Sequence, residues 1–222
     1  MLLKFNLLRN KLVSPLLHTV HSQVMLLDLD GEHAEKAYPI LASLVTPRPI
    51  AWITTVNADG VVNAAPFSFF NVFGSKPAMV AVAPGNKSPG VPKDTARNIR
   101  ETKEFVINMV DQSVAEGMVH TSKPLDFGVS EIEEANLTTL PSDLIRPPRI
   151  ENAPAAMECT EIQTIEIGSN RLVIGQIHRI HVRDEVFDPE TLRFQPEKYT
   201  PIGRMAVPDW YCTTDNLFEI PR

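Results

Sequence analysis

The chain has 222 residues, a formal net charge of −6 and 43% hydrophobic residues. That length fits one domain able to bury roughly 70% of the unfolded chain's surface, and the acidic balance supplies no basic field for a polyanion, so nucleic acid is excluded as an expected partner. Its two cysteines, Cys159 and Cys212, form no Cys-x-x-Cys pair; neither a zinc site nor a disulfide framework is expected, and the simplest setting is a reducing, cytoplasmic one.

Residues 1–27 carry Lys4, Arg9 and Lys11 with no acidic residue before Asp28. The leading expectation is an extension outside the domain, either disordered or preceding a true start at Met25. A mitochondrial-type presequence and a helix packed on the domain are the competing readings. Its apolar runs are too short for a secretory signal or a membrane span, and the domain is set at 28–222. Next, Pro47 and Pro49 bracket Arg48 and hold it on a stiff, extended segment, where a guanidinium can meet an anion or form a surface ion pair.

Ile50 to Val56 is β-branched and aromatic, Asn57-Ala58-Asp59-Gly60 supplies a turn, and Val61 to Phe70 returns, which predicts a hairpin presenting Thr54, Thr55, Ser68 and Asn71. Phe69 and Phe70 beside them read equally as core. Ala78 to Ala83 predicts a buried strand between Pro/Gly breaks. Asp94-Thr95 opens a helix to about Lys103 with Ala96, Ile99 and Phe105 turned inward and Arg97, Arg100 and Lys103 outward, and Glu104 to Val110 returns to strand. At its start, Lys93, Asp94 and Thr95 admit two readings: free backbone N–H groups and a cation that hold a phosphate, or a plain capped helix with a solvated lysine.

Asp111 is expected to cap a short helix, and 122–154 to be mostly loop with one acidic helix. Met157–Ile167 and Leu172–Val182 predict a second hairpin around Gly168-Ser169-Asn170. On its return strand His178 and His181 stand three apart, hence on opposite faces, which argues against a shared metal; no metal site is expected. Many strands with helices only as insertions predict a mainly β, antiparallel barrel and not a doubly wound sheet. Asn86-Lys87-Ser88 lacks the glycine of a nucleotide loop, and Ser68 is in no Gly-x-Ser-x-Gly elbow.

The segments RPIAWITT, NAAPFSFFN, KDTARNI, EFVINMV, SEIEEANL, PPRI, MEC and PIGR occur in this order between Arg48 and Arg204. Together they resemble the flavin reductase-like, FMN-binding split-barrel family, which includes flavoredoxin-like proteins. The resemblance covers about Tyr38 to Tyr211 and implies an antiparallel, Greek-key split β-barrel with a few short helices. It also implies noncovalent FMN, NADH or NADPH as transient reductant, and a homodimer with each flavin near the subunit interface. A monooxygenase partner is compatible with it.

Residue by residue, Lys93, Asp94 and Thr95 resemble the phosphate loop. Ser68, Asn71 and the backbone around Phe69 resemble isoalloxazine and ribityl contacts, and Thr54 and Thr55 their neighbours. Arg48 is similar to the arginine beside the flavin, and Arg204 to a closing segment. The expected activity is NAD(P)H-dependent flavin reduction in which the cofactor carries the chemistry and no side chain need be a catalytic base. Two rivals stand beside it: an FMN electron carrier or redox sensor with little nicotinamide turnover, and a pyridoxamine-phosphate-oxidase-like enzyme, for which no further basic cluster is visible.

Overall fold

The computed structural model describes residues 24–221; the basic stretch of the expected extension, Lys4 to Lys11, lies outside the described residues. The chain divides into two compact units, the second being Tyr38–Arg222. Of the first, the described part runs through a tight turn closed by the His33 amide on the Asp28 carbonyl at 2.8 Å into a short 3-10 helix, Ala34–Lys36.

Helix α1 (Ala37–Leu44) leads to strands β1 (Ala51–Val56), β2 (Val62–Phe67), β3 (Phe70–Ser75) and β4 (Ala78–Val82). A short β5 (Asn86–Ser88) and β6 (Val91–Pro92) precede α2 (Asp94–Thr102) and β7 (Glu104–Asn108). Then come α3 (Ala115–His120), α4 (Glu131–Glu134), β8 (Thr139–Leu140) and β9 (Arg149–Ile150). The long hairpin β10 (Ala155–Ile167) and β11 (Asn170–Val182) follows, then β12 (Gly203–Arg204) and β13 (Tyr211–Cys212).

Seven strands form one sheet in the order β2-β1-β7-β10-β11-β4-β3, and its ladders are antiparallel. β2 and β3 are the two edges, yet only Ser68 and Phe69 separate them in sequence. So short a link reaches roughly 10 Å, and the sheet must therefore curl until its edges nearly meet. The seam between β2 and β3 carries no ladder, which makes this a split barrel.

The expected return strand, Val61 to Phe70, thus stops at Phe67, and Ser68 and Asn71 do not belong to it. Ser68 stands in the bend and Asn71 on the opposite edge. The reason is topological: a chain leaving one edge of a curled sheet must break its extended path to enter the other, and no local propensity announces this break.

The period-2 geometry of β1 organises the core. Ala51 and Ile53 point into one cluster with Phe67, Phe70, Val82, Ile99 and Phe105. Trp52 points with Ile50 into a second, formed by Ala64, Val110, Met118, Ile132 and Ile202. Its indole N–H donates to the Thr121 hydroxyl at 2.9 Å, so the buried ring leaves no polar atom unsatisfied. The turn after β1 is built as its composition predicts: Asn57 Oδ1 accepts from the amides of Asp59 and Val61 at 3.0 and 2.9 Å, and Gly60 takes φ +85°.

Gly175 has a steric role. A Cβ there would lie 2.4 Å from Cζ of Phe105, which is fully buried. Gly175→Ala is therefore expected to destabilise by about 1–3 kcal/mol through overpacking, read as a lower denaturant midpoint. A midpoint unchanged or raised would show that the Phe105 ring moves aside freely.

Candidate functional site

At the β2–β3 bend the surface opens into a cleft of about 430 Å³, within the range of small-molecule sites. Ser68 and Phe69 of the bend form its floor, Tyr38 of α1 and Tyr211 of β13 stand at its sides, and Lys93, Arg171 and Arg204 bring positive charge. Phe69 is 41% exposed and its ring centre lies 5.9 Å from that of Tyr38, and both residues line the opening. A larger cavity, about 720 Å³, is lined by Arg149, His181 and Arg183 but by no Phe, Tyr or Trp. It offers no stacking surface for a planar ring.

Lys93 immediately precedes α2 and is its N-cap, without a side-chain capping bond. No side chain caps the start of this nine-residue helix, and uncapped first amides with the positive end of the helix dipole are the kind of place that favours an anion. The Lys93 ammonium rides 5.3 Å above the centre of the Phe67 ring, and burial pushes its pKa below the ordinary lysine value. Arg204 packs its guanidinium 4.7 Å from the Tyr211 ring centre. One nitrogen donates to the Pro208 carbonyl, while Nη1 is buried with no partner. A buried orphaned donor in a cleft wall suits an added acceptor.

Arg48 is neither a free cation nor a surface ion pair. It is 5% exposed, with Nη1 donating to the carbonyls of Ala42 and Val45, Nη2 to Met205 O at 3.0 Å and Nε to Ser68 Oγ at 3.2 Å. Burial lowers its pKa from the usual arginine value. The side chain ties α1, the floor bend and the β12–β13 loop together, and so fixes the aromatic floor from below.

Of the other residues singled out by sequence, Thr54, Thr55 and Thr95 are buried. Thr54 donates to the Pro148 carbonyl at 2.5 Å, Thr55 accepts from Asn98 Nδ2 at 3.0 Å, and the Thr95 hydroxyl meets the Asn63 amide at 3.0 Å. The bonds of Thr55 and Thr95 brace β1 and β2 against α2, and that of Thr54 ties β1 to the loop before β9. Asp94 begins α2, and Asn71 is exposed on β3, accepting from the Val72 amide at 2.8 Å. The structure thus gathers Ser68, Phe69, Lys93 and Arg204 at the cleft.

It also brings residues that sequence reasoning passed over. Arg171 stands at the tip of the β10–β11 hairpin, Nη1 on Asn86 Oδ1 at 3.1 Å and Nε on Glu166 at 3.1 Å. Its side chain is only 11% exposed, so its direction is set. The one available signal was its place beside the Gly168-Ser169 turn, since loop tips often carry binding groups.

The histidines require a correction. β11 carries a bulge opposite the Glu158–Cys159 step, which adds a residue to the strand and reverses the alternation beyond it. His178 and His181 therefore reach the same side of β10, on Thr160 at 2.7 Å and Glu158 at 2.6 Å. Ligand atoms of Asp143, Glu158 and His181 lie within 4.8 Å of one another, but they are engaged. Glu158 also accepts from the amides of Asp143 and Leu144 at 2.9 and 2.8 Å, and Asp143 is held by Arg179 at 2.7 Å.

Residues 43–203 match the sequence model of the flavin reductase like domain. Among solved structures, the chain is similar to 2-nitrobenzoate 2-nitroreductase of Pseudomonas fluorescens, with 35% identity and TM-score 0.81 over 89% of this chain and 96% of that one. It is also similar to nitrilotriacetate monooxygenase component B of Bacillus cereus, with 32% identity and TM-score 0.84 over 90% and 100%. An uncharacterised protein of Aquifex aeolicus is 39% identical over 76% of this chain and 86% of its own length. No helix among the described residues is long and apolar enough to cross a membrane.

Proposed function

Since the chain belongs to the flavin reductase-like family, we propose that it is an NAD(P)H-dependent, FMN-binding oxidoreductase. The observation that carries this reading is the cleft itself, where an exposed Phe69 and Tyr38 surface lies beside Lys93, Arg171 and Arg204. The same residues that offer a flat ring its seat also offer an anion its counter-charge. FMN, when bound, supplies a two-electron acceptor and donor.

In this reading Lys93 and the first amides of α2 hold the phosphate, and Asp94 and Thr95 set that helix start. Ser68 and the backbone around Phe69 meet the ring and ribityl chain. Arg204, through its orphaned Nη1, donates to an acceptor in the cleft. Arg48, Thr54 and Thr55 act from behind by fixing the strands that present these groups, and Asn71 acts from the neighbouring edge. Positive potential in the wall favours a cofactor that gains negative charge on reduction.

The protein is proposed to act as a homodimer. Val72 and Phe73 leave the edge strand β3 56% and 67% exposed, and an unpaired apolar edge is a natural pairing surface. Likeness to a monooxygenase component B supports delivery of reduced flavin to a separate oxygenase.

The test is nicotinamide consumption by FMN-loaded protein with and without added free flavin. Rapid oxidation of NADH or NADPH, stimulated by free flavin, is expected. Retained FMN with negligible turnover of either nucleotide would instead favour an electron carrier or sensor.

A further inference from the structure

An apolar groove adjoins the cleft. It encloses about 450 Å³ between Ala115 and Val119 of α3, Ile202, and Tyr211, Cys212 and Thr213. Val119 and Tyr211 are also walls of the cleft, so the two spaces adjoin along these side chains.

The two spaces divide by charge. The cleft is lined by three cations, Lys93, Arg171 and Arg204, against one carboxylate, Asp209, whereas the groove has no Lys, Arg or His and Glu116 as its one charged residue. A dinucleotide entering the groove would bring its phosphates toward a carboxylate with no cation to meet them, a repulsive arrangement. An uncharged ring pays no such electrostatic penalty and gains apolar contact with Val119, Ile202 and the Tyr211 ring.

We propose that this groove seats the apolar body of an uncharged, planar aromatic electron acceptor of the quinone class, with its reducible end at the mouth of the cleft. This deepens the oxidoreductase reading and rests on it. Reduction of a quinone to its hydroquinone takes two electrons and two protons. The reduced nicotinamide delivers one hydride equivalent, solvent supplies the second proton, and oxidised nicotinamide is the other product.

The probe is duroquinone, whose fully methylated ring does not alkylate the Cys212 thiol. Ala115→Trp fills the groove from α3, and Thr213→Trp fills it from an exposed position should the first variant fail to fold; neither residue lines the cleft. At least a tenfold rise in the KM for duroquinone is expected, with a matching loss of duroquinone binding in equilibrium dialysis. FMN retention and NAD(P)H oxidation by ferricyanide should remain unchanged.

Unchanged duroquinone KM and binding in both variants would overturn the proposal. Loss of FMN would overturn it by making the groove part of the flavin seat, and a shift in elution volume by showing that a second copy covers it. If the wild type oxidises no nicotinamide but dialysis still finds duroquinone displaced by Thr213→Trp, the oxidoreductase reading fails while the groove assignment stands.

Discussion

Lys93→Ala is expected to weaken FMN binding about 10- to 100-fold, the value of one charge-assisted contact to a phosphate. Lys93 is the one cleft cation placed at a helix start, so charge and amides act on the same anion. Arg171 is shared with Glu166 and Asn86, and Arg204 has one nitrogen on Pro208 and Asp209 and only Nη1 free; neither stands at a helix start, so neither can replace Lys93 there. Flavin-fluorescence quenching reads the affinity, and an unchanged Kd would remove the phosphate from this end of the cleft. The same lysine sets an alkaline limit. Burial holds its folded pKa below the ordinary value, so the free protein sheds this proton early, and affinity falls as pH rises through that lowered pKa. A bound phosphate stabilises the charged form, so binding takes up a proton in that window. Stability has the opposite sign: the cost of burying the charge is full below the folded pKa and fades as pH rises to the unfolded one. Lys93→Met removes both dependences.

Most of the barrel could be read from residue patterns because its cause is local. The β-branched and aromatic run of β1, the Asn57–Gly60 turn and the Gly168-Ser169 turn each mark a strand or its end, and the structure has them there. The site was less legible because its causes are not local. Ser68 and Asn71 read as neighbours on one strand, yet they fall on the bend and on the far edge of a curled sheet. Arg48 reads as a cation awaiting an anion; only the fold shows that the carbonyls of Ala42, Val45 and Met205 surround it. His178 and His181 share a side through a bulge that no period-2 count contains. Arg171 becomes a wall of the cleft because a hairpin with strands of 13 residues carries its tip back over β5, a distance set by strand length and not by residue type.

Glu158→Ala is expected to cost about 3 kcal/mol of folding stability, the size reported for stripping a partner from buried hydrogen-bonded groups. Glu158 is fully buried, and its carboxylate collects the amides of Asp143 and Leu144 and the His181 ring. Those amides belong to the segment after β8, which returns to the barrel through Pro148 O on Thr54 and the Ile150 amide on Asn108 Oδ1. Loosening it therefore reaches β1 and β7 in the sheet, so the loss should appear as a lower urea midpoint of the whole cooperative transition and not as local fraying. Burial by itself raises the Glu158 pKa, but the Asp143 amide, His181 and the Leu144 amide outweigh it and leave the value below that of an ordinary glutamate. With the folded pKa depressed, its stabilisation is present above the unfolded pKa and is lost as pH falls through the folded one. Glu158→Gln keeps the shape and one acceptor oxygen but turns an N–H donor toward an amide, so it should lose part of the stability and all of this acid dependence. A variant within about 0.5 kcal/mol of wild type, the range of an ordinary surface change, would show that the amides find water instead. Because Glu158 does not line the cleft, any folded fraction should still bind FMN with wild-type affinity, which separates the stability of the barrel from the chemistry at its seam.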